Sequence, residues 1–367
     1  MAPFGDFYDG RRVFVTGDTG FKGSWLSLWL TKLGASVTGY SDGPITTPNN
    51  FTASDVASRI RHVDGLVEDS AAVAAAIDEA QPEVILHLAG QALVGKSFDD
   101  PRGTIATNAL GTANVLDAAL AIDSVQSVVI VTSDKCYAPR ETDVPYLESD
   151  RLGGDDPYSL SKACAELVFE AFQVTIEHRA PSGTRAPAIG SARAGNVFGG
   201  GDWSEKRLIP DMVRAIGEHE PLVLRVPHAR RPWQHVLEPI SGYLWLGRML
   251  ASGDLPNASW NFGPPPQGAH TVEEMVRFFV AEWGIDLPIE ITPQQQFVET
   301  LLLRLDPTAA AHDLGWHTVL EPREALALTA RWYRDYSEGT ASMADVSSSQ
   351  IDEYVERART NGLTWAK

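Results

Sequence analysis

Short apolar runs alternate with longer segments of helical character through the first half of the chain. The runs predict buried strands at Arg12–Thr16, Ala35–Tyr40, Glu83–Ala89 and Ser127–Thr132. The segments between them predict helices at Ser24–Leu33, Ser70–Ala80 and Thr104–Ala121. Continuous apolar strands that alternate with helices indicate a parallel sheet covered on both faces. We therefore predict an α/β fold with a doubly wound parallel sheet of the Rossmann type.

The pattern changes after Gly195, where prolines and glycines divide the sequence into shorter elements. We predict a smaller α+β region here, built on the carboxyl edge of the sheet. Its predicted helices are Glu238–Leu250, Thr271–Trp283, Arg323–Tyr336 and Gln350–Arg359. The segment Gly339–Ser349 is mostly small and polar, which predicts a flexible connection.

Composition limits the partners that the protein can have. The chain has 367 residues, of which 44% are hydrophobic and 21% charged, as expected of a folded core. Its 30 Lys and Arg residues against 48 Asp and Glu residues give a net charge of −18. This balance argues against nucleic acid or an anionic membrane as partner, because a phosphate surface requires a basic face.

Compartment can also be inferred from composition. The most apolar stretch, Phe21–Leu33, is too short to span a bilayer, and the first ten residues carry no positive cluster of a secretory signal. The two cysteines, Cys136 and Cys164, make neither a disulfide framework nor a Cys/His metal spacing. We therefore expect a soluble, cytoplasmic protein without a bound metal.

A glycine-rich turn links the first predicted strand to the first predicted helix. Gly17, Gly20 and Gly23 are three residues apart, which permits a tight turn, a close approach of backbone N–H groups to a diphosphate, and close packing of helix on strand. The alternative is a tight turn without a ligand. After the second strand, Asp42 can accept hydrogen bonds from ribose hydroxyls where an NADP enzyme would carry a cation, so NAD is favoured. Asp42 could instead be an ordinary loop carboxylate.

Tyr158 and Lys162 lie four residues apart at the start of a predicted helix, with Asp156 as its N-cap and Pro157 as its first residue. Their side chains share one helical face. A neighbouring ammonium group stabilises the phenolate of a tyrosine and lowers its pKa, so that the tyrosine can remove a hydroxyl proton. The alternative is an ordinary surface pair.

Polar residues follow the predicted strand Ser127–Thr132. Ligands bind at the carboxyl ends of parallel strands in this architecture, so Ser133, Asp134 and Lys135 are placed for chemistry. Alternatively, Ser133 or Asp134 caps a helical turn and Lys135 is solvated. Cys136 is expected to be a small apolar filler.

Taken together, these motifs resemble the extended short-chain dehydrogenase/reductase family and, within it, the nucleotide-sugar 4,6-dehydratases. The similar segments are Thr16–Leu26 (TGDTGFKGSWL), Glu83–Gln91 (EVILHLAGQ), Thr107–Thr112 (TNALGT), Thr132–Tyr137 (TSDKCY), Tyr158–Lys162 (YSLSK), Ala192–Trp203 (ARAGNVFGGGDW), Arg207–Asp211 (RLIPD) and Arg231–Gly242 (RPWQHVLEPISG).

The resemblance implies a cofactor, NAD, and a substrate, a nucleoside-diphosphate hexose with CDP-glucose favoured. Tyr158 would take the proton of the 4-hydroxyl as hydride leaves C4, and Ser133 would hydrogen-bond the C4 oxygen. Asp134 would protonate the departing C6 hydroxyl. Lys135 would be the C5 base or would stabilise an enolate. Hydride return to C6 would give the 4-keto-6-deoxy sugar.

The resemblance also implies two sets of binding residues. The implied cofactor contacts are Gly17, Thr19, Gly20, Phe21, Lys22, Gly23, Asp42, Leu66, Leu88, Ala89, Asn108, Tyr158 and Lys162. The implied substrate contacts are Ser133, Asn196, Arg207 and Arg231. The two arginines could instead form salt bridges, and Asn196 could be a turn residue. Leu66 stands where the family usually has an adenine-binding Asp, and Asp18 stands where this branch often has His.

Residues 1–195, with part of 226–255 returning, are expected to bind NAD, and residues 196–367 mainly the substrate. His87 and His235 are expected to be structural. The family also suggests a homodimer or a dimer of dimers, formed through Thr104–Ala121 and Tyr158–Glu177. A nucleotide-sugar 4-epimerase and a non-catalytic dinucleotide sensor are the alternatives. The first needs no acid at C6, and the second needs no Tyr158–Lys162 pair.

Overall fold

The computed structural model describes residues 3–140, 142, 144–179, 186–265, 270–292, 303–339 and 341–367. Its strands are β1 (Arg12–Thr16), β2 (Ser36–Ser41), β3 (Arg61–Asp64), β4 (Val84–His87), β5 (Ser127–Val131), β6 (Ala188–Ala194), β7 (Val197–Phe198), β8 (Leu222–Leu224), β9 (Arg230–Arg231), β10 (Gln234–His235), β11 (Ala258–Phe262), β12 (His270–Thr271) and β13 (Ile289–Ile291).

The helices of the described residues are α1 (Phe21–Lys32), α2 (Asn50–Ala53), α3 (Ser70–Ala80), α4 (Val94–Asp99), α5 (Pro101–Ile105), α6 (Gly111–Leu120), α7 (Pro157–Arg179), α8 (Leu208–Glu218), α9 (Leu237–Ala251), α10 (Val272–Trp283), α11 (Thr308–Leu314), α12 (Pro322–Glu338) and α13 (Met343–Thr360). In the described part of the chain, the membrane-span criteria of length and hydropathy are met by none of them.

The central sheet has seven strands in the order β11-β6-β5-β4-β1-β2-β3, and every neighbouring pair is parallel. The order reverses direction at β1 and β4, which is the topological switch point of a doubly wound sheet. The predicted fold class is confirmed. Three two-stranded pairings, β7 with β10, β9 with β12 and β8 with β13, belong to the smaller region.

Both faces of the sheet are covered, as the continuous apolar strands predict. On β1, Val13 and Val15 belong to one buried cluster, which includes residues of α1, α9 and the C-terminal helices. Phe14, between them, belongs to a second buried cluster with residues of α3, α6 and α7. Successive side chains of a strand point to opposite faces, so this alternation places β1 in the middle of three layers.

The chain returns to the central sheet after residue 195. Helix α9 packs against β5, where the Ser127 hydroxyl donates to the Gly247 carbonyl at 2.8 Å. Strand β11 then pairs with β6 as the last strand of the sheet. The apolar pattern alone did not predict β11.

The prediction of a flexible connection at Gly339–Ser349 was wrong, although residue 340 lies outside the described residues. Gly339 ends α12 with φ +63°, and α13 already begins at Met343. Ser347 is buried within α13, where its hydroxyl accepts the indole N–H of Trp332 at 2.9 Å. The small residues of this segment therefore serve close helix packing.

The helix predicted at Thr104–Ala121 also differs from the structure. The chain runs from α5 through a π-helical segment, Ala106–Leu110, into α6. π-Helical turns inside longer helices are rare and often occur at functional sites. This one contains Asn108, one of the implied cofactor contacts.

Candidate active site

The glycine turn is closed so tightly that side chains would not fit. Gly17 has φ +74°, and a Cβ there would lie 2.7 Å from the backbone nitrogen of Ala89. A Cβ on Gly23 would lie 2.0 Å from the carbonyl oxygen of Gly17. These contacts explain the first and third glycines. Helix α1 begins three residues earlier than predicted, so Gly23 lies inside its first turn.

The N-terminus of α1 offers backbone donors at the same edge. Gly20 precedes the helix and has no side chain that could cap its first N–H groups. Phe21 and Lys22 form the first turn. The positive end of the helix dipole and these N–H groups make a suitable site for a diphosphate.

Lys22 lines the same cleft. Burial, together with the cations of Arg207 and Lys162, lowers its pKa to about 7, and the carboxylate of Asp134 partly opposes this shift. The Lys22 ammonium lies 5.9 Å from the ring centroid of Tyr243. Lys22 thus brings a positive charge from the glycine turn toward the residues at the end of β5.

The other end of the turn lies beside β2 and β3. Asp42 follows β2 directly and is exposed, and the Thr19 hydroxyl is 2.8 Å from that of Ser41. Strand β3 ends at Asp64, so Leu66 lies in the loop that follows this strand. Leu66 is 52% exposed and its backbone carbonyl accepts the hydroxyl of Tyr40.

Asp18 does not cap α1. Its buried carboxylate lies 2.6 Å from the Nδ1 atom of His62 on β3. Burial raises the pKa of Asp18, and the charge and hydrogen bond of His62 oppose that rise. The aspartate that departs from the family pattern therefore has a partner on β3, across the intervening strand β2.

Asn108 connects three elements beneath the cleft. Its amide nitrogen donates to the Ser161 hydroxyl at 2.7 Å and to the Gln91 carbonyl at 3.1 Å, and its amide oxygen accepts the Gln91 backbone N–H at 2.8 Å. A Cβ on Gly90 would lie 3.0 Å from the Lys162 ammonium. The π-helical segment thus fixes the loop after β4 against α7. Leu88 and Ala89 lie in that loop and are half-buried.

Helix α7 begins as predicted. The Asp156 carboxylate accepts the backbone N–H of Ser159 at 2.9 Å, and Pro157 is the first helical residue. Tyr158 and Lys162 are both 8% exposed, so they are not an ordinary surface pair. The helix presents both side chains to the end of β5.

Ser133 and Asp134 meet the Tyr158–Lys162 pair. The Ser133 hydroxyl donates to the Asp134 carboxylate at 3.0 Å and accepts the backbone N–H of Lys135 at 3.2 Å, so Ser133 also caps the turn 134–136. A Cβ on Gly195 would lie 3.0 Å from the Asp134 carboxylate. Lys135 is half-buried and Cys136 is fully buried.

The ionisation of this centre is set mainly by burial. Burial raises the pKa of Tyr158 to about 12, and its hydrogen bond with Ser133 partly opposes the rise. Burial raises the pKa of Asp134. The hydrogen bond from Ser133 and the positive charges of Lys135, Arg231 and Lys22 partly oppose this rise. Burial lowers the pKa of Lys162 to about 8. A carboxyl group with a raised pKa, a phenol and an ammonium group with a lowered pKa therefore lie together at this centre.

Besides Ser133, the three other residues implied for substrate lie around this centre. Arg207 forms a 3.0 Å salt bridge with Asp202, as one alternative anticipated, yet its charge also acts on the pKa of Tyr158. Arg231 is half-buried and its charge lowers the pKa of Asp134. Asn196 is exposed and its backbone carbonyl accepts the N–H of Gln234. The rim of the cleft is thus cationic.

The two histidines are buried and bonded to, or packed against, structural residues. His87 is buried between the hydroxyls of Thr16 at 2.7 Å and Thr112 at 3.1 Å. His235 is buried beside Trp25. Burial lowers the pKa of each histidine to about 3, so both are neutral. Their placement suits the structural role that we expected.

Two buried charged residues were not anticipated. Glu166 on α7 and Arg193 on β6 pair at 2.6 Å beneath the turn 134–136. Glu166 stands four residues after Lys162, and that spacing could have placed it on the same helical face.

The residues present fit a dinucleotide. The Cβ positions of Gly17 and Gly23 are blocked by backbone, the α1 N-terminus is uncapped by a side chain, and Lys162 lies beside Gly90. These features match a diphosphate on the helix and a nicotinamide at the end of β5. Within the described ranges, His, Cys, Asp and Glu side chains form no cluster that could hold a metal ion.

Comparison with known proteins agrees with this geometry. Residues 13–263 match the NAD dependent epimerase/dehydratase family. The chain belongs to this family, and its cofactor is NAD. The predicted family is confirmed.

Three individual proteins of known activity are similar to this chain in sequence or in fold. The chain is 40% identical to the CDP-glucose 4,6-dehydratase of Salmonella typhimurium over 351 residues, which cover 95% of this chain and 98% of that protein. Two solved structures share the fold. One is the dTDP-glucose 4,6-dehydratase of Streptomyces venezuelae with NAD bound, at 24% identity and a TM-score of 0.75, covering 90% of this chain and 99% of that one. The other is the UDP-glucose 4-epimerase of Brucella ovis with NAD, at 22% identity and a TM-score of 0.75, covering 88% and 98%.

Proposed function

We propose that this protein is a nucleoside-diphosphate hexose 4,6-dehydratase whose substrate is CDP-glucose. The observation that carries the proposal is that a buried carboxyl group with a raised pKa, Asp134, shares one centre with Tyr158. A dehydratase requires an acid for the C6 hydroxyl, whereas an epimerase does not. The identity to the Salmonella typhimurium enzyme supports the choice of sugar nucleotide.

The proposed roles of the residues follow from their positions. Tyr158 takes the proton of the C4 hydroxyl, and Ser133 hydrogen-bonds the C4 oxygen. Asp134 donates its proton to the C6 hydroxyl, which leaves as water. Bound NAD would supply the hydride acceptor for C4 and the hydride donor for C6, and its positive ring would favour the phenolate over the phenol. Lys162 adds a second positive charge beside Tyr158.

The proposed binding residues divide between the two parts of the chain. Residues 1–195, with part of 226–255, hold NAD, and residues 196–367 mainly hold the sugar nucleotide. The proposed cofactor contacts are Gly17, Thr19, Gly20, Phe21, Lys22, Gly23, Asp42, Leu66, Leu88, Ala89, Asn108, Tyr158 and Lys162. Arg207 and Arg231 bind the diphosphate of the substrate, because a guanidinium group can donate two parallel hydrogen bonds to phosphate oxygens. Asn196 is a further proposed contact of the substrate.

Lys135 has two candidate roles at C5, and one substitution separates them. Arginine keeps the positive charge but stays protonated in proteins, so it cannot be a base. If Lys135 stabilises an enolate, Lys135→Arg retains water loss to within about tenfold. If Lys135 is the base, the variant loses both the elimination of water and the exchange of the C5 hydrogen with deuterated water. Mass spectrometry of the sugar nucleotide distinguishes the two results.

We also propose a homodimer. Apolar side chains are exposed along α7 and the neighbouring α5–α6 segment: Leu160, Leu167, Val174, Ile105 and Leu110. On α7 they recur at helical spacing with the exposed Cys164 between them. A second copy of this chain, which presents the same stripe, would cover them in a four-helix contact. The free thiols of Cys136 and Cys164 support a reducing compartment, the cytoplasm.

The deciding experiment incubates the purified protein with NAD and, separately, with the CDP-, UDP-, GDP- and dTDP-hexoses. We expect a 4-keto-6-deoxy product from CDP-glucose, detected by its absorbance in alkali. Interconversion of UDP-glucose and UDP-galactose without keto product would identify an epimerase. Binding of NAD without conversion of any sugar would identify a sensor.

A further inference from the structure

A buried ion pair lies directly beneath residues 133–136, which carry Ser133 and Asp134 and are called the reactive turn below. The roles proposed above do not use this pair. The Arg193 guanidinium donates to the Glu166 carboxylate at 2.6 Å, and the two side chains are 2% and 0% exposed. A buried pair of charges loses its hydration, and apolar residues of the same size often replace it without loss of stability. The pair therefore calls for an explanation other than stability.

Glu166 holds the residue that precedes the turn. Its carboxylate accepts the hydroxyl of Thr132, the last residue before Ser133, and that of Ser191 on β6. The backbone N–H of Thr132 donates to the Ala192 carbonyl at 3.0 Å. The side chain and the backbone of Thr132 are thus both fixed before the chain reaches Ser133 and Asp134.

Arg193 holds the residue that follows the turn. Its guanidinium donates to the Tyr137 hydroxyl at 2.8 Å, and that hydroxyl donates to the Asn261 side chain on β11 at 2.8 Å. Thr132 and Tyr137 flank the four residues 133–136. The two ends of the reactive turn are therefore tied to the two members of one ion pair.

Glu166 also acts on the helix that carries the proposed base. Tyr158, Lys162 and Glu166 stand at four-residue intervals on α7 and share one face. The titratable groups that act on or are acted on by Lys162 are Lys22 of α1, His87 of β4, Cys136 of the turn and Glu166 of its own helix. Among them, the carboxylate of Glu166 is the largest influence that keeps the ammonium charged.

We propose that Glu166 and Arg193 are positioning residues of the reaction centre. They hold the turn 133–136 at both ends, and Glu166 places its carboxylate on the face of α7 that carries Tyr158 and Lys162. This proposal rests on the proposed dehydratase function. It assigns the pair a role in catalysis without contact with sugar or cofactor.

The first test removes the charge of Glu166 and keeps its shape. We expect Glu166→Gln to lower kcat for CDP-glucose about ten- to hundredfold with little change in KM, because a small displacement of reactive groups has an effect of this size. The pKa of Lys162 should fall, since the carboxylate raises it. The alkaline limb of the kcat profile should therefore move to lower pH, and Glu166→Asp should restore it. A lower kcat with an unmoved alkaline limb would overturn the proposal.

A second pair of variants decides the matter if Glu166→Gln does not fold. Thr132→Val and Ser191→Ala each remove one hydroxyl from the same carboxylate, but only Thr132 leads into the turn. We expect Thr132→Val to lower kcat at least about tenfold more than Ser191→Ala does. Equal effects of the two substitutions would contradict the positioning role.

Failure of the proposed function can be told apart from failure of this inference. If the wild-type protein converts none of the sugars, the dehydratase proposal fails. NAD affinity is then measured against pH by fluorescence titration, because Lys162 lies in the cofactor site. Glu166→Gln should move the alkaline midpoint of binding to lower pH, and an unchanged midpoint would refute the inference.

Discussion

Burial shifts the pKa of Asp134 in the direction that its proposed role as an acid requires, whereas it raises the pKa of Tyr158, the proposed base. The carboxyl of Asp134 retains its proton to higher pH than an exposed aspartate, because a buried charge is disfavoured. Motif spacing brought Ser133, Asp134, Tyr158 and Lys162 forward as candidates, and the structure places them together. Sequence alone could not predict the partner of Asp18, because His62 is distant in the chain and meets it only in the folded sheet, across the intervening strand β2.

Asp134→Asn should separate water loss from cofactor binding. Asparagine fills the same space but cannot donate the acid proton, so we expect kcat to fall about 10²- to 10⁴-fold. NAD affinity should change little. Stopped-flow absorbance of reduced NAD should show that C4 oxidation persists. Unchanged turnover would remove Asp134 from the mechanism.

Tyr158→Phe should stop the reaction one step earlier. The phenyl ring retains the packing but has no oxygen to accept the C4 proton, so reduced NAD should not accumulate with CDP-glucose. Isothermal titration of NAD provides the binding control. A near-normal rate of C4 oxidation would contradict the role of Tyr158 as base.

At the scale of elements, strands β3 and β6 of the central sheet were not predicted. Strands β1, β2, β4 and β5 could be predicted from the sequence, because both sheet faces are buried and these strands are largely apolar. Strand β11 could not, because its Ser259 and Asn261 are polar. Both bond to the buried Arg193–Tyr137 network. The start of α13 was missed because its small residues resemble those of a linker, whereas they pack closely on α12.

The packing of α9 against the C-terminal part of the chain contributes a pH dependence to the stability of the protein. Burial raises the pKa of Glu238 to about 7, although its carboxylate accepts the N–H groups of Val319 and Leu320 and the hydroxyl of Tyr354. In the unfolded chain, this carboxyl group releases its proton near 4.5, the ordinary pKa of a glutamate. Between these two values the folded state binds more protons, so stability falls as pH rises.

Glu238→Gln should therefore flatten the dependence of stability on pH. In the wild-type protein the group removes about 3 kcal/mol of unfolding free energy as pH rises through that window. The variant lacks a titrating group at this position, so its free energy of unfolding should fall by about 3 kcal/mol less over the same pH range. Urea unfolding at about pH 5 and about pH 8 measures the difference. Parallel losses in both proteins would show that Glu238 does not titrate there.

At the scale of the whole molecule, the exposed apolar stripe on α7 is the feature that a single chain does not explain. Leu167→Glu should dissociate the proposed dimer, because a charge would be buried against the partner copy. Val223→Glu is a matched control, since Val223 is 52% exposed on β8 and Leu167 is 53% exposed. Sedimentation velocity should report monomers for the first variant only. Monomers in the wild-type protein would refute the dimer.

The place of β11 in the sheet has a consequence for biosynthesis. Strand β6 ends at Ala194, but the strand that covers its outer edge spans Ala258–Phe262. During translation, more than sixty further residues must leave the ribosome before that edge is paired. The nascent chain thus presents open backbone N–H and C=O groups, together with an Arg193 that still lacks Ser259, for several seconds at ordinary elongation rates. Chaperone contact during synthesis should concentrate on this interval.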